Sequence, residues 1–382
     1  MKHETQVALM HKLFALRERG RQQDMLGRVV QLPVNVYSEP SILDDELQSV
    51  FKDFPMVLGH ASHVQEPGSY LLSDWDKFPV VVVRDNAGTL RAFLNMCRHR
   101  GAKLVNGEEE RLKAFVCPFH GWSYSLDGKL KGVTRSYNFP DLDPANCNLR
   151  ELPVAEAFGL IWVHPTATAS LDIRSYLGDI ADDLEHFNIG ELVSYKKTKV
   201  VKQANWKLLL KTYLEGYHVP YLHRTTLQAA LKNGVIAHYE HGPNIRLVAA
   251  RTNIEEAMHV PESDWNILNF ASVYYTLFPN TFFIMHPDYV SINMFFPIAP
   301  NQTIWTHEML YRPADFQGKD AEKSLAKRFE FTNDVVFDGE DFAVAEGVQS
   351  GIEFAPNEVH TLGLEEGLLG MFQASVDAAI AK

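Results

Sequence analysis

The spacing of apolar side chains divides the 382-residue chain into three stretches. In residues 1–44, Val7, Met10, Leu13 and Leu16 recur at helical spacing, and the text then turns basic from Arg17 to Arg21. This predicts an amphipathic helix that packs on the body or a neighbour, or lies solvated on the surface. In residues 45–165, short apolar runs alternate with turn residues. PVVVVRD and LRAFLNMC flank Asn86-Ala87-Gly88, SYSLDGKL carries the hairpin signal Asp127-Gly128, and FGLIWVHP is closed by Pro165. An all-β domain is expected there. In residues 166–382, the strand-like KTKVVKQANW leads into a helical run from Trp206 to about Tyr217. The strands ASVYYTLFP, NTFFIMHP, YVSINMFFPIAP and IWTHEMLYRP follow, then a long helical stretch from about Ala321 to Gly351. Antiparallel sheet mixed with helices makes this part α+β.

Composition narrows the function. The chain is 46% hydrophobic and 22% charged, as expected of a globular protein. Its net charge of −12 leaves no basic stripe to neutralise phosphates, which argues against nucleic acid. Arg98, Arg100 and Lys103 form one local basic patch. Three cysteines (Cys97, Cys117 and Cys147) argue against a disulfide framework, and Cys147 reads as an ordinary half-buried residue. The N-terminal text has no apolar signal-peptide core, and no apolar run reaches bilayer length. A cytoplasmic location with no membrane partner is the expectation.

Two short motifs carry chemistry. Cys97-Arg98-His99 and Cys117-Pro118-Phe119-His120 each present one thiol and one imidazole. Two thiolates on one iron and two imidazoles on the other are the ligand set of a Rieske 2Fe–2S cluster, which transfers single electrons. Zinc also accepts two cysteines and two histidines, but fingers usually pair Cys with Cys and His with His. Gly101 and Gly121-Trp122 suit loops that close tightly around a cluster.

A second metal set is suggested by Glu215-Gly216-Tyr217-His218, followed by Pro220 and His223. Glu215 and His218, three apart, would share a helix face. Pro220 is expected to kink or break the helix there, so that a distorted turn brings His223 back toward His218. Two histidines and a carboxylate leave open positions on Fe(II). Spacing alone does not choose the carboxylate among Asp338, Glu340 and Asp341.

The strings CRHRGA, CPFHGW, ANWKLLLKTYLEGYHVPYLH and GEDFAVAEGVQSG resemble, in order and over nearly the whole chain, the α subunits of Rieske non-haem iron aromatic-ring-hydroxylating oxygenases. The resemblance implies an N-terminal helical segment (1–44), a Rieske domain (45–165) and a helix-grip, START-like catalytic domain (166–382). It implies Cys97, His99, Cys117 and His120 as cluster ligands and His218, His223 and Asp341 as ligands of a mononuclear iron. Glu215 becomes the bridge that couples this iron to the cluster of a neighbouring subunit. Many relatives have Asp at that position, so the Glu puts the bridge's geometry in question. The implied activity is that of a terminal oxygenase, using O2 and electrons that originate in NAD(P)H and arrive through a separate reductase or ferredoxin. A homotrimer follows, because the coupling runs between subunits. The substrate is expected to be a small organic molecule, often aromatic, undergoing hydroxylation or oxidative demethylation. Alternatives are cis-dihydroxylation, monooxygenation of a quaternary ammonium compound, or a Rieske electron carrier without the second metal.

Overall fold

A computed structural model describes residues 1–19, 28–108 and 110–382. Arg21, at the end of the basic run, lies outside the described residues. The chain divides into two compact units, one of residues 51–173 and one joining residues 1–50 to 174–382.

Unit 51–173 contains three small antiparallel sheets. The strands Val154–Ala157, Leu160–Val163 and Met56–His60 form the first, and Tyr70–Leu72, Val80–Arg84, Leu90–Leu94 and Glu151–Leu152 the second. Phe115–Val116, Ser123–Tyr124 and Leu130–Gly132 form the third. The turns fall where their residues require. Gly88 (φ +81°) and Gly128 (φ +82°) adopt left-handed backbone that an L side chain resists. Asp85 caps the first turn by accepting from the N–H groups of Ala87 and Thr89, each at 2.9 Å. Phe93, Phe115, Trp122, Tyr124 and Leu126 form a core that includes both Cys97 and Cys117.

The larger unit is built on a seven-stranded antiparallel sheet. Its spatial order is Val193–Lys202, Gln302–Tyr311, Tyr289–Ala299, Thr281–Met285, Ala271–Leu277, Asn244–Arg251 and Leu231–His241. The last two strands escape the sequence pattern. NIRLVAAR is buried along most of its length and does not alternate, and LKNGVIAHYEH is interrupted by Gly234. The first helix, His3–Glu18, buries Leu9, Met10, Leu13 and Leu16. It packs on its own unit: His11 and Phe14 meet Trp265, and the Lys12 ammonium lies 4.8 Å from the Tyr239 ring. A further helix, Pro40–Asp53, runs through the position 44/45 at which the sequence pattern changes. Its Glu46 is fully buried and accepts from Trp206 Nε1 at 2.7 Å and from Lys207 Nζ. Residues 1–50 are thereby tied into the unit of the seven-stranded sheet.

The helical run expected from Trp206 to Tyr217 is shorter. Asn205 caps it by accepting from Lys207 N, and it ends at Lys211. The stretch from Ala321 is helical to Phe354, but it is not a single α-helix. Ala321–Glu330 and Ala343–Phe354 are α-helical, and Phe331–Phe342 between them is a π-helix. Among the described residues no helix is long and apolar enough to cross a membrane.

Candidate active site

The two Cys–His loops share one backbone design. Cys97 N–H donates to Ala102 O at 2.8 Å and Gly101 N–H to Cys97 O at 3.0 Å. Cys117 N–H donates to Trp122 O at 2.8 Å and Gly121 N–H to Cys117 O at 2.9 Å. Each loop turns through a left-handed glycine four residues after its cysteine, Gly101 at φ +76° and Gly121 at φ +68°. This explains why the motifs end in glycine although their histidines sit one residue apart in register. The imidazoles of His99 and His120 meet edge to face at 4.6 Å, and His99 stacks on Trp122 at 4.9 Å. Cys97 and Cys117 are buried, and Tyr124 OH lies 3.3 Å from Cys97 Sγ. Burial pushes the Cys97 thiol up, as does the neighbouring Cys117 against the pull of Tyr124. The Nδ1 atoms of His99 and His120 are both buried without a hydrogen-bond partner among the described residues. Two paired thiols and two orphaned imidazole nitrogens fit a metal cluster, whose positive irons would supply the missing partners.

In the larger unit, residues 212–217 form turns instead of the continued helix, and this overturns the expected role of Pro220. Proline sits in the first turn of a short helix, Val219–Leu222, where its missing N–H is no loss. His218 and His223 bracket that helix and their rings stand 5.1 Å apart. The break lies before the proline, at residues 212–217, and not at Pro220 itself, and it makes the two converge. Glu215 holds the break: its carboxylate accepts from the N–H groups of Tyr217 (2.5 Å) and His218 (3.2 Å), and from His218 Nδ1. Tyr217 itself is exposed and meets Tyr221.

Asp341 arrives from the π-helix. Its Oδ1 lies 3.1 Å from His223 Nε2 and 3.6 Å from His218 Nε2. Ligand atoms of His218, His223 and Asp341 all fall within 4.8 Å of one another. Burial raises the Asp341 carboxyl, opposed by the two histidines. Burial pulls both histidines down, but their carboxylate partners outweigh it and both stand raised. Such a cluster of one acid and two imidazoles, each aiming Nε2 at a common point, suits a divalent cation.

The neighbouring acids divide the work. Glu340 Oε2 accepts from His223 Nδ1 at 2.7 Å and from Thr226 Oγ1 at 2.8 Å. Consecutive residues thus clasp opposite nitrogens of one imidazole. Asp338 turns away to Lys202. The wide π turns also require Gly339, where a Cβ would stand 2.9 Å from Asp334 O.

A cavity of about 470 Å³ opens onto this cluster. Its sheet wall follows the strand period of two: Leu247, Ala249 and Arg251 on one strand, Ser272 and Tyr274 on the next, Ile284 on the third. Phe331, Thr332, Val336 and Phe337 of the π-helix line it as well. Tyr213 stacks on Phe282 at 4.4 Å and meets Phe337 edge-on at 5.2 Å. The strand Ala271–Leu277 contributes Ser272 and Tyr274 and the strand Thr281–Met285 contributes Ile284, while Val290–Phe296 contributes no lining residue.

Residues 189–382 match the family model "ring hydroxylating alpha subunit (catalytic domain)", and residues 54–143 match "Rieske [2Fe-2S] domain". The chain belongs to the ring-hydroxylating alpha subunit family. The two domains imply a 2Fe–2S cluster and a mononuclear iron as cofactors, in place of zinc. The chain is 34% identical over 197 residues to a chloroplastic choline monooxygenase of Beta vulgaris, covering 50% of this chain and 44% of that protein. It is 35% identical over 202 residues to the large oxygenase component of a 2,4-dinitrotoluene dioxygenase system from Burkholderia sp. (strain RASC), covering 51% and 44%. The chain thus spans less than half the length of these relatives in either alignment. In fold it is similar to a quaternary ammonium Rieske monooxygenase in complex with L-carnitine, with a TM-score of 0.77, 20% identity and coverage of 91% and 94%. Naphthalene 1,2-dioxygenase with indole bound gives a TM-score of 0.78 at 20% identity, covering 92% of each chain.

Within this family framework, sequence reasoning missed Glu340 as the partner of His223, although it weighed Glu340 as a ligand. It also missed the strand that supplies Arg251. His286 follows the strand Thr281–Met285 and lines the cavity, and its buried Nε2 has no hydrogen-bond partner among the described residues.

Proposed function

We propose that this protein is the terminal oxygenase component of a multicomponent system that hydroxylates, or oxidatively demethylates, a small organic substrate. The observation that carries this reading is a largely apolar cavity opening directly onto His218, His223 and Asp341. A carrier that only relays electrons has no need of such a chamber.

We assign Cys97, His99, Cys117 and His120 to the 2Fe–2S cluster within residues 51–173. His218, His223 and Asp341 are assigned to the mononuclear iron in the catalytic unit. When bound, the ferrous ion supplies open coordination positions for dioxygen chemistry and the cluster supplies single electrons. The chain's own groups prepare that site. Glu215 and Glu340 accept from the Nδ1 atoms of His218 and His223, fixing both tautomers with Nε2 free to bind metal. The apolar walls exclude water and orient the substrate.

Glu215 is further assigned as the bridge to the cluster of an adjoining subunit, in an α3 trimer. A separate reductase or ferredoxin delivers the electrons.

Metal and labile-sulfide analysis of the purified protein tests the reading, combined with dioxygen uptake in the presence of a surrogate reductase. Cluster sulfide, a further chelatable iron and substrate-dependent uptake matched by product are expected. A cluster without the additional iron would leave only an electron carrier.

A further inference from the structure

We propose that the cavity receives an organic carboxylate, with the Arg251 guanidinium holding the acid group. The inference rests on the oxygenase reading and adds the substrate class.

Charge pairing decides the matter. Glu215 and Asp341 are engaged with His218 and His223. Asp288 also faces the cavity, but Arg328 holds it through Nε at 2.8 Å and Nη2 at 2.5 Å. Arg251 lines the cavity half-buried and has neither an ion-pair nor a hydrogen-bond partner among the described residues. A half-buried cation left unpaired among apolar walls is costly, and a ligand carboxylate relieves that cost with two parallel hydrogen bonds to the guanidinium fork.

Position agrees with charge. Arg251 ends the inward-facing row Leu247, Ala249, Arg251, so the cation stands at one end of the sheet wall. It also borders a second, adjoining cavity with Thr252, Asn253 and Asn269. His286 and Tyr274 also line the main cavity, and the Arg251 charge is felt at both. The same arrangement disfavours a quaternary ammonium ligand: Tyr213, Tyr274 and Phe337 offer rings, but the unpaired guanidinium would repel a cation.

Anaerobic calorimetric titration of the cluster- and iron-loaded protein tests the assignment with benzoate, salicylate, phenylacetate and cinnamate. Benzamide and the other matching amides serve as neutral isosteres, and benzyltrimethylammonium as the cation. At least one acid is expected to bind more than about tenfold tighter than its amide. Arg251→Gln should weaken that acid by about ten- to hundredfold and its amide by less than about threefold, with Arg251→Lys in between. In turnover the loss should fall on KM, with kcat little changed. Equal binding of acid and amide by the wild type, tighter binding of the ammonium compound, or no binding of any acid overturns the proposal, whether or not the variants fold. Tight acid binding without dioxygen uptake would instead sink the oxygenase reading and leave the ligand assignment standing.

Discussion

His223 and Glu340 are joined by a 2.7 Å hydrogen bond from the imidazole Nδ1 to the carboxylate, while the next residue, Asp341, faces the opposite ring nitrogen at 3.1 Å. Two consecutive side chains reach opposite ends of one ring because His223 is presented to the π-helix edge-on, at the end of its own short helix. The contact sets which nitrogen is free for metal. Glu340→Gln should weaken iron binding by about 10- to 100-fold while leaving the cluster's visible absorption unchanged. Competition with a ferrous chelator measures the first and a spectrum of the same sample the second. Unchanged iron affinity would reduce Glu340 to a structural acid.

Glu215 has a different expected signature. Glu215→Gln keeps the shape and can still accept hydrogen bonds from the N–H groups of Tyr217 and His218. Sulfide content should persist, iron affinity should fall as in Glu340→Gln because the acceptor of His218 Nδ1 is altered, and turnover of the fully iron-loaded variant should fall by more than about tenfold. Single-turnover reoxidation of the pre-reduced cluster, followed with substrate present, locates the loss. A variant that reoxidises at the wild-type rate contradicts the bridging role.

Glu46 and Lys207 form a fully buried ion pair that joins residues 40–53 to the catalytic helix Trp206–Lys211. Glu46→Ala leaves the ammonium buried without a counter-charge and removes the acceptor of Trp206 Nε1. Denaturant titration should show a loss of about 3–5 kcal/mol. The double change Glu46→Leu with Lys207→Met should be milder, because it removes both charges together. If it proves worse than the single change, charge burial is not the cause.

Acid should weaken the larger unit before its carboxylates titrate. His307 is buried between Phe329 and Phe337, bonded to Asn333 and Ser291, and burial pulls it down to about 4. Burial pulls His286 down to about 3. The folded state keeps both neutral, while the unfolded chain takes up protons near the ordinary histidine value of about 6.5. Their contribution is therefore complete above about pH 6.5 and is lost as pH falls toward 4 for His307, on the order of 3 kcal/mol, and toward 3 for His286. Thermal melts from pH 7.5 to 4.5 should show the decline, shallower in His307→Gln. Identical slopes in wild type and variant would refute the assignment.

The ligand loops were legible in the chain text because each is local. A cysteine, a histidine two or three residues on, and a glycine four residues on specify a turn whose hydrogen bonds close within six residues. The five strands of the seven-stranded sheet that the pattern named were legible for a similar reason, since their lengths and Pro or Asn breaks lie within or beside each segment. Asp341 was reached by resemblance. Its own neighbourhood offered three acids with nothing local to rank them.

Amino-acid order alone therefore determined the α+β class, the two Cys–His turns and the pairing of His218 with His223 as candidates. Tertiary structure decided which acid meets which nitrogen, because a π-helix advances its side chains by a smaller angle per residue than an α-helix, and that offset is set by packing against the sheet. It also decided that Arg251 faces the cavity. A strand residue's inward or outward aim depends on register with its neighbours, here Ala249 opposite Ser272 and Leu247 opposite Tyr274, and register is a property of paired strands, never of one.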